Sequence, residues 1–221
     1  NHLIIGRRIF FEALDFMVNG DDPAAARLRG VWVRRKEAEH DLPGLGFAHD
    51  ILQAFLARRQ PDAHVVRVAL HAGEYDLFGL IAAAIAAVET PGAARAGVRA
   101  DETTAVAFEA DRADALVRRI EQALDGPIWL FIDGPRSELA GQALQQLEQL
   151  LARLLQSDRI RFVLTRMETH QLPLPRFGSL GEITPLSAPG IMNEFIGDFG
   201  IEDVKTTLIA ASHDLDLNLT P

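Results

Sequence analysis

Short apolar runs alternate along the sequence with longer segments of helical periodicity, and this alternation restricts the folds that the chain can adopt. The runs are rich in β-branched and aromatic residues and lack polar alternation, which is typical of strands covered on both faces. They are Val31–Arg35, Val65–Leu70, Ile128–Ile132, Ile160–Thr165 and, less apolar, Leu180–Ile183. The segments with apolar residues at i, i+3 and i+4 are Ile9–Val18, Gly46–Arg59, Asp76–Glu89, Asp111–Leu124 and Ala140–Gln156. This order predicts right-handed βαβ units in an α/β fold, with a three-layer parallel sheet of about five strands flanked by helices.

The rhythm changes after Pro185, where a Pro- and Gly-containing stretch leads into two further apolar segments. We predict helices at Ile191–Phe199 and Ile201–Ala211 and interpret them as the start of a helical lid. The chain is therefore divided into a main domain over residues 1–187 and a lid or linker over residues 188–221. Residues 90–104 interrupt the alternation as a loop-like excursion.

The amino-acid composition limits the classes of partner and binding site that this chain can have. The 221 residues carry a net charge of −9 with a pI of about 5.2, which argues against a nucleic-acid surface or an anionic membrane as partner. The absence of cysteine excludes disulfides and thiolate metal sites and fits a cytoplasmic protein. The most apolar helical segment, Leu77–Val88, is too short to span a bilayer. No signal-peptide pattern is visible at the N-terminus.

The segment from Val31 to Leu56 has the frame of a phosphate-binding loop: a strand, a loop with Gly44 and Gly46, then a helix. A working loop of this kind needs a Lys for the phosphates and a Ser or Thr for Mg²⁺. Aligned on Gly46, these two positions hold Phe47 and Ala48. Neither side chain can replace a cation or a metal ligand.

Two later strands end in polar residues. The run Trp129–Ile132 leads into Asp133, as in a strand whose terminal carboxylate holds Mg²⁺, but the next position, where a general base often stands, is Gly134. The alternative is that Asp133 caps the following turn. The strand Ile160–Thr165 could deliver Thr165 or Arg166 to sense a γ-phosphate, or could end in solvent.

The order of these motifs resembles a STAND-type NTPase domain, related to the AAA+ ATPases. The opening Leu3–Ile9 resembles that family's entry box, with Arg7 as its arginine, and Ile183–Ser187 resembles its step into the lid. The resemblance implies that Gly44, Gly46, Phe47 and Ala48 mark a relic of the phosphate loop and Asp133 a relic of the metal site. The missing Lys and hydroxyl resemble the inactive branch of this family, which is associated with bacterial signalling or conflict systems.

From these motifs and the resemblance we expect one of two functions. The first is a catalytically inactive module that acts as a scaffold, sensor or switch through protein partners or fused effector or adaptor domains, with no cofactor, no metal and its oligomeric state left open. Its contact surfaces would include residues 172–177 or 90–104. The second is a divergent ATP- or GTP-binding protein or weak NTPase using Mg²⁺ and a displaced cation from Arg34, Arg35 or Lys36.

Histidine–aspartate pairs occur at His40-Asp41, His49-Asp50 and His213-Asp214 and suggest metal phosphohydrolase chemistry. Enzymes with that signature are helical, whereas this chain carries strands. We therefore interpret the histidines as scattered surface residues.

Overall fold

One parallel β-sheet organises the chain. The computed structural model describes residues 8–19, 21–35, 47–71, 73, 75–89, 109–135, 139, 141–167, 172–178, 182–196 and 205. In these residues the strands are β1 (Leu28–Arg35), β2 (His64–Ala69), β3 (Ile128–Asp133), β4 (Ile160–Thr165), β5 (Arg176–Phe177) and β6 (Gly190–Ile196). The helices are α1 (Arg8–Val18), α2 (Phe47–Arg59), α3 (Leu77–Glu89), α4 (Glu109–Ala123) and α5 (Gly141–Leu154), and a short 3₁₀ helix (Ala25–Arg27) precedes β1.

The strand order is β2-β3-β4-β1-β6-β5, with every pair parallel. The central strands β3, β4 and β1 are almost wholly buried, which explains their continuous apolar sequences. Their register aligns Ala69, Asp133, Thr165 and Val33 in one row across the sheet. This row marks the carboxyl edge of the sheet.

Alternate residues of each strand enter two separate cores. Helices α3, α4 and α5 pack on one face, where their apolar residues meet Trp32, Leu130 and Leu164. Helices α1 and α2 pack on the other face against Val31, Phe131 and their neighbours. The protein thus has three layers, with helices on both sides of the sheet.

The predicted α/β class is confirmed, with a sheet of six strands where about five were expected. All five helices before residue 185 and the first four strands occur within a few residues of their predicted bounds. The strand expected at 180–183 is wrong for Glu182 and Ile183, which lie outside any strand, whereas residues 180–181 lie outside the described part. No helix in the described ranges has the length and apolarity to cross a membrane.

The helix predicted at Ile191–Phe199 is wrong, because Gly190–Ile196 forms β6 and pairs along β1. A short apolar run cannot be assigned to helix or strand from periodicity alone. Here the pairing partner decides, since Ile191 and Met192 are buried on the two faces of the sheet. Residues 190–196 therefore belong to the main domain. The remainder of the predicted lid lies outside the described residues, apart from Lys205.

Candidate functional site

The carboxyl edge of the sheet gathers polar side chains from three strands. Asp133 ends β3, Thr165 ends β4, and Arg67 lies on the neighbouring β2. The start of α2, which follows β1, lies at the same edge and contributes His49, whose ring meets Phe131 edge-to-face at 5.1 Å between centroids. In open parallel sheets ligands bind outside the carboxyl ends of the strands. This edge is therefore the candidate functional site.

The carboxylate of Asp133 is fully engaged by protein groups. Its Oδ1 accepts hydrogen bonds from Thr165 Oγ1 at 2.8 Å and from Arg166 Nε at 2.7 Å. Its Oδ2 accepts from an Arg166 Nη2 and lies 3.5 Å from Arg67 Nη2. The side chain of Asp133 is only 7% exposed. The paired contacts of Arg166 form a bidentate guanidinium–carboxylate fork, whose charge-assisted hydrogen bonds are stronger than neutral ones.

The backbone at Arg166 makes this fork possible. Arg166 has φ of 56°, in the left-handed region that non-glycine residues rarely adopt, and in the described residues it is the sole non-glycine with positive φ. The chain therefore turns sharply after β4. The turn brings the Arg166 guanidinium to Asp133 on the adjacent strand.

Gly134 fits under the same turn. Its N–H donates to the carbonyl of Thr165 at 2.8 Å. A Cβ at position 134 would lie 2.5 Å from Met167 Cγ, 2.6 Å from the Arg166 carbonyl oxygen and 2.8 Å from the Thr165 carbonyl oxygen. Two of these neighbours are backbone atoms that cannot move cheaply. The position that would carry a second acid is thus closed to any side chain.

Two guanidiniums, those of Arg166 and the half-exposed Arg67, face the Asp133 carboxylate. A second carboxylate, that of the exposed Asp50, lies 3.7 Å from His49 Nδ1. Burial lowers the pKa of His49, and the nearby Arg67 lowers it further, against smaller opposing effects of Asp50 and Asp133. His49 is therefore held neutral near Arg67, and the carboxylates of Asp133 and Asp50 balance the two guanidiniums at this edge.

The residues described at the carboxyl edge of the sheet do not fit a nucleotide bound with Mg²⁺. Mg²⁺ requires oxygen ligands in octahedral geometry, and the Asp133 oxygens are occupied by cationic donors. Ala48 is buried in the α1–α2 core and offers no ligand. In the described ranges no group of three His, Asp or Glu residues could hold a metal ion. His49 Nδ1 lies 3.7 Å from Asp50 Oδ1. His40 and His213, the histidines of the other two His–Asp pairs, lie outside those ranges.

The predicted site residues are brought together only in part. Phe47 is the first residue of α2, Ala48 is buried beside it, and Asp133 with Thr165 and Arg166 forms one cluster. Arg7, Gly44 and Gly46 lie outside the described residues, as do the loops at 36–46 and 90–104. In the described residues the Asp133 carboxylate bonds to Thr165 at the end of β4 and to Arg166 after it, whereas most of the turn that it was predicted to cap lies outside the described ranges. Arg67 was not among the predicted site residues, although a lone cation inside the apolar run Val65–Leu70 was a signal.

Fold and site together define an α/β domain with a carboxylate–guanidinium cluster at the carboxyl edge of a parallel sheet. No protein-family model and no curated protein matches the sequence. Among solved structures, the chain is similar to the Walker-type ATPase PABY2304 of Pyrococcus abyssi, with a TM-score of 0.43 and 12% identity. The similarity covers 98% of this chain and 60% of that one, so the chain spans less than two thirds of the ATPase's length.

Proposed function

We propose that this chain is a catalytically inactive module of P-loop NTPase-like, STAND-type architecture that works through protein partners. In this role it is a scaffold, sensor or switch in a bacterial signalling or conflict system. The observation that carries the proposal is the engagement of Asp133 by Arg166, Thr165 and Arg67. The residue that would hold the metal in an active relative is here a structural tie between strands.

A metal ion would have to compete with Arg166 for the Asp133 carboxylate, and the energetics of this competition favour the ion pair with Arg166. A metal ion at Asp133 would have to displace the Arg166 fork and leave two guanidiniums without their counter-charge. Removing one partner from a buried ion pair costs about 3–5 kcal/mol, and the partial exposure of Arg166 reduces that figure to about 2 kcal/mol. Mg²⁺ also loses its hydration water reluctantly. Both terms act against metal binding at this position.

Neither of the two motif positions that would supply the other groups for hydrolysis offers a suitable side chain. A base to activate water cannot extend from position 134, because backbone carbonyls lie within 2.8 Å of its Cβ position. A hydroxyl for the metal cannot come from Ala48, which packs in the α1–α2 core. The sheet and its two cores depend on apolar burial and strand pairing, neither of which needs the Lys or hydroxyl of a phosphate loop, so the fold persists without the chemistry. The features that persist, a stable fold and its surface, are those that an interaction module needs.

The test is a thermal-shift titration of the chain with ATP, GTP and ADP, each with and without Mg²⁺, and with Mg²⁺ alone as control. A ligand that binds the native state at 100 times its Kd would add about 2.7 kcal/mol of stability. We expect no Mg²⁺-dependent shift at millimolar nucleotide. A Mg²⁺-dependent shift that Asp133→Asn abolishes and that Arg59→Gln, at an exposed ion pair, preserves would overturn the proposal.

One observation favours a second function, nucleotide binding without metal. Arg67 is half exposed and lies near the N-terminus of α2, where an anion is stabilised by helix N–H groups. It would serve as the displaced cation in place of Arg34, Arg35 or Lys36. In the same titration this function predicts a shift that is independent of Mg²⁺ and is lost in Arg67→Gln.

A further inference from the structure

A cavity of about 350 Å³ lies at the amino edge of the sheet, opposite the Asp133 cluster. Its apolar walls come from Met17 and Val18 at the end of α1, from Pro127 and from Trp129. Its polar wall includes Arg161 of β4 and the exposed Asp158. The indole N–H of Trp129 donates to Gln60 Oε1 at 3.1 Å, which fixes the ring against the cavity. None of these residues belongs to the site described above.

Two arginines lie side by side at this edge. Gly30 pairs with Phe162, so the preceding residues Arg29 and Arg161 are neighbours on adjacent strands. The side chain of Arg29 is 7% exposed, and its Nη2 donates to Asp158 Oδ1 at 2.5 Å. Arg161 donates from Nη1 to the Asp158 carbonyl at 3.1 Å and to the Ile160 carbonyl at 3.4 Å. The buried Nε of each arginine has no hydrogen-bond partner.

The charge balance of this pair is incomplete. Burial, with repulsion from Arg29, lowers the pKa of Arg161 to about 10, and the single nearby carboxylate offsets this only in part. The Asp158 side chain is 89% exposed, so water screens much of its charge. The neighbouring Arg159 differs, because it donates to the carbonyls of Glu121, Leu124 and Gly126 that follow α4. Arg159 is therefore satisfied structurally, whereas Arg161 retains unused donors beside a cavity.

We propose that this cavity binds a small organic carboxylate, with its anionic head on Arg161 and its apolar body against Val18, Pro127 and Met17. A guanidinium presents a planar fork that matches a carboxylate. A cavity of this size lies at the lower end of the range for small-molecule sites, which combine apolar walls with few polar anchors. The net charge of −9 disfavours highly charged anions such as polyphosphates.

The test is protein-observed NMR on the ¹⁵N-labelled chain, following the Nε–H of Arg161 and the indole N–H of Trp129. The probes are acetate, phenylacetate and octanoate, each beside its neutral amide, and inorganic phosphate. We expect phenylacetate or octanoate to shift both resonances, acetate to shift them less, and the amides to leave them unchanged. Loss of a charge-assisted hydrogen bond in Arg161→Met should weaken binding roughly tenfold or more. Arg119→Met, an exposed arginine on α4, should leave the affinity unchanged.

The proposal is wrong if no carboxylate shifts the two resonances at about 10 mM, a concentration that reveals roughly millimolar affinity. It is equally wrong if amides bind as well as acids, or if Arg161→Met keeps the affinity of the wild type. A preference for inorganic phosphate over every carboxylate would reject the ligand class. Should Arg161→Met fail to fold, Arg161→Lys and the acid–amide comparison on the unchanged chain decide the matter.

Discussion

At the level of single residues, the contacts of Asp133 with neighbouring side chains give this motif position a structural role instead of a metal-binding one. The sequence predicts an acid at the end of a buried strand, and the structure has it there. What the sequence could not predict is the left-handed backbone of Arg166 and the approach of Arg67 across β2 and β3. Both depend on register between strands that are far apart in the chain. Together they turn a candidate metal ligand into an ion-pair acceptor.

Gly134 gives a direct test of the tight turn beside Asp133. We expect Gly134→Ala to lower the free energy of unfolding by about 1–3 kcal/mol, because the new Cβ would overlap two backbone carbonyls. Chemical denaturation measures this loss. The matched control is Gly79→Ala in α3, where the Cβ would meet only side-chain atoms of Asp76, the nearest being Oδ2 at 3.1 Å. The stability of this variant should stay within about 1 kcal/mol of wild type. Equal effects at both glycines would contradict this account.

His49 predicts a pH dependence of stability. Its pKa in the folded chain is lowered below 6.5, first by burial and then by Arg67. Below 6.5 the unfolded chain therefore binds a proton that the folded chain does not, and the free energy of unfolding falls as the pH drops from 6.5 through the lowered folded pKa. Denaturant unfolding above and below pH 6.5 measures this fall. We expect His49→Phe to remove part of it, and identical pH slopes for the two proteins would speak against a neutral, buried His49.

At the scale of elements, the five helices and the strands β1 to β4 could be predicted because each of these strands is a continuous apolar run and each helix has an amphipathic period. The two-residue strand β5 could not be predicted, since it carries no such run. The segment Gly190–Ile196 could not, since its length and apolar content suit both states. Its pairing with β1, and with the short β5, makes it a strand, and the contact with β1 spans most of the sequence. The tie at Asp133 was missed for the same reason. Local sequence patterns do not predict which distant strands pair or in what register they pair.

The assignment of β6 to the main domain leads to a second stability prediction. Ile191→Ala should cost about 2–5 kcal/mol, because the side chain is fully buried in the sheet's larger core. Leu186→Ala, a few residues earlier and 96% exposed, should change stability by less than about 0.5 kcal/mol. Denaturant midpoints compare the two. A tolerated Ile191→Ala would instead suit a peripheral lid segment.

At the scale of the whole molecule, the two cores are coupled by the strands they share. Within β1, Val31 and Val33 enter the α1–α2 core, while Trp32 between them enters the core of α3, α4 and α5. Neither core can lose its strands without exposing the other, so one cooperative unfolding transition follows from the topology.

The two tryptophans allow this cooperativity to be measured, because Trp32 lies in one core and Trp129 in the other. In Trp129→Phe and Trp32→Phe backgrounds, fluorescence reports each core separately. Leu52→Ala in the α1–α2 core and Leu150→Ala in the opposite core should each cost about 2–5 kcal/mol. Each should move both tryptophan transitions together, including the one in the undamaged core. A transition that stays in place on the undamaged face would mean that the sheet does not couple its two helical layers.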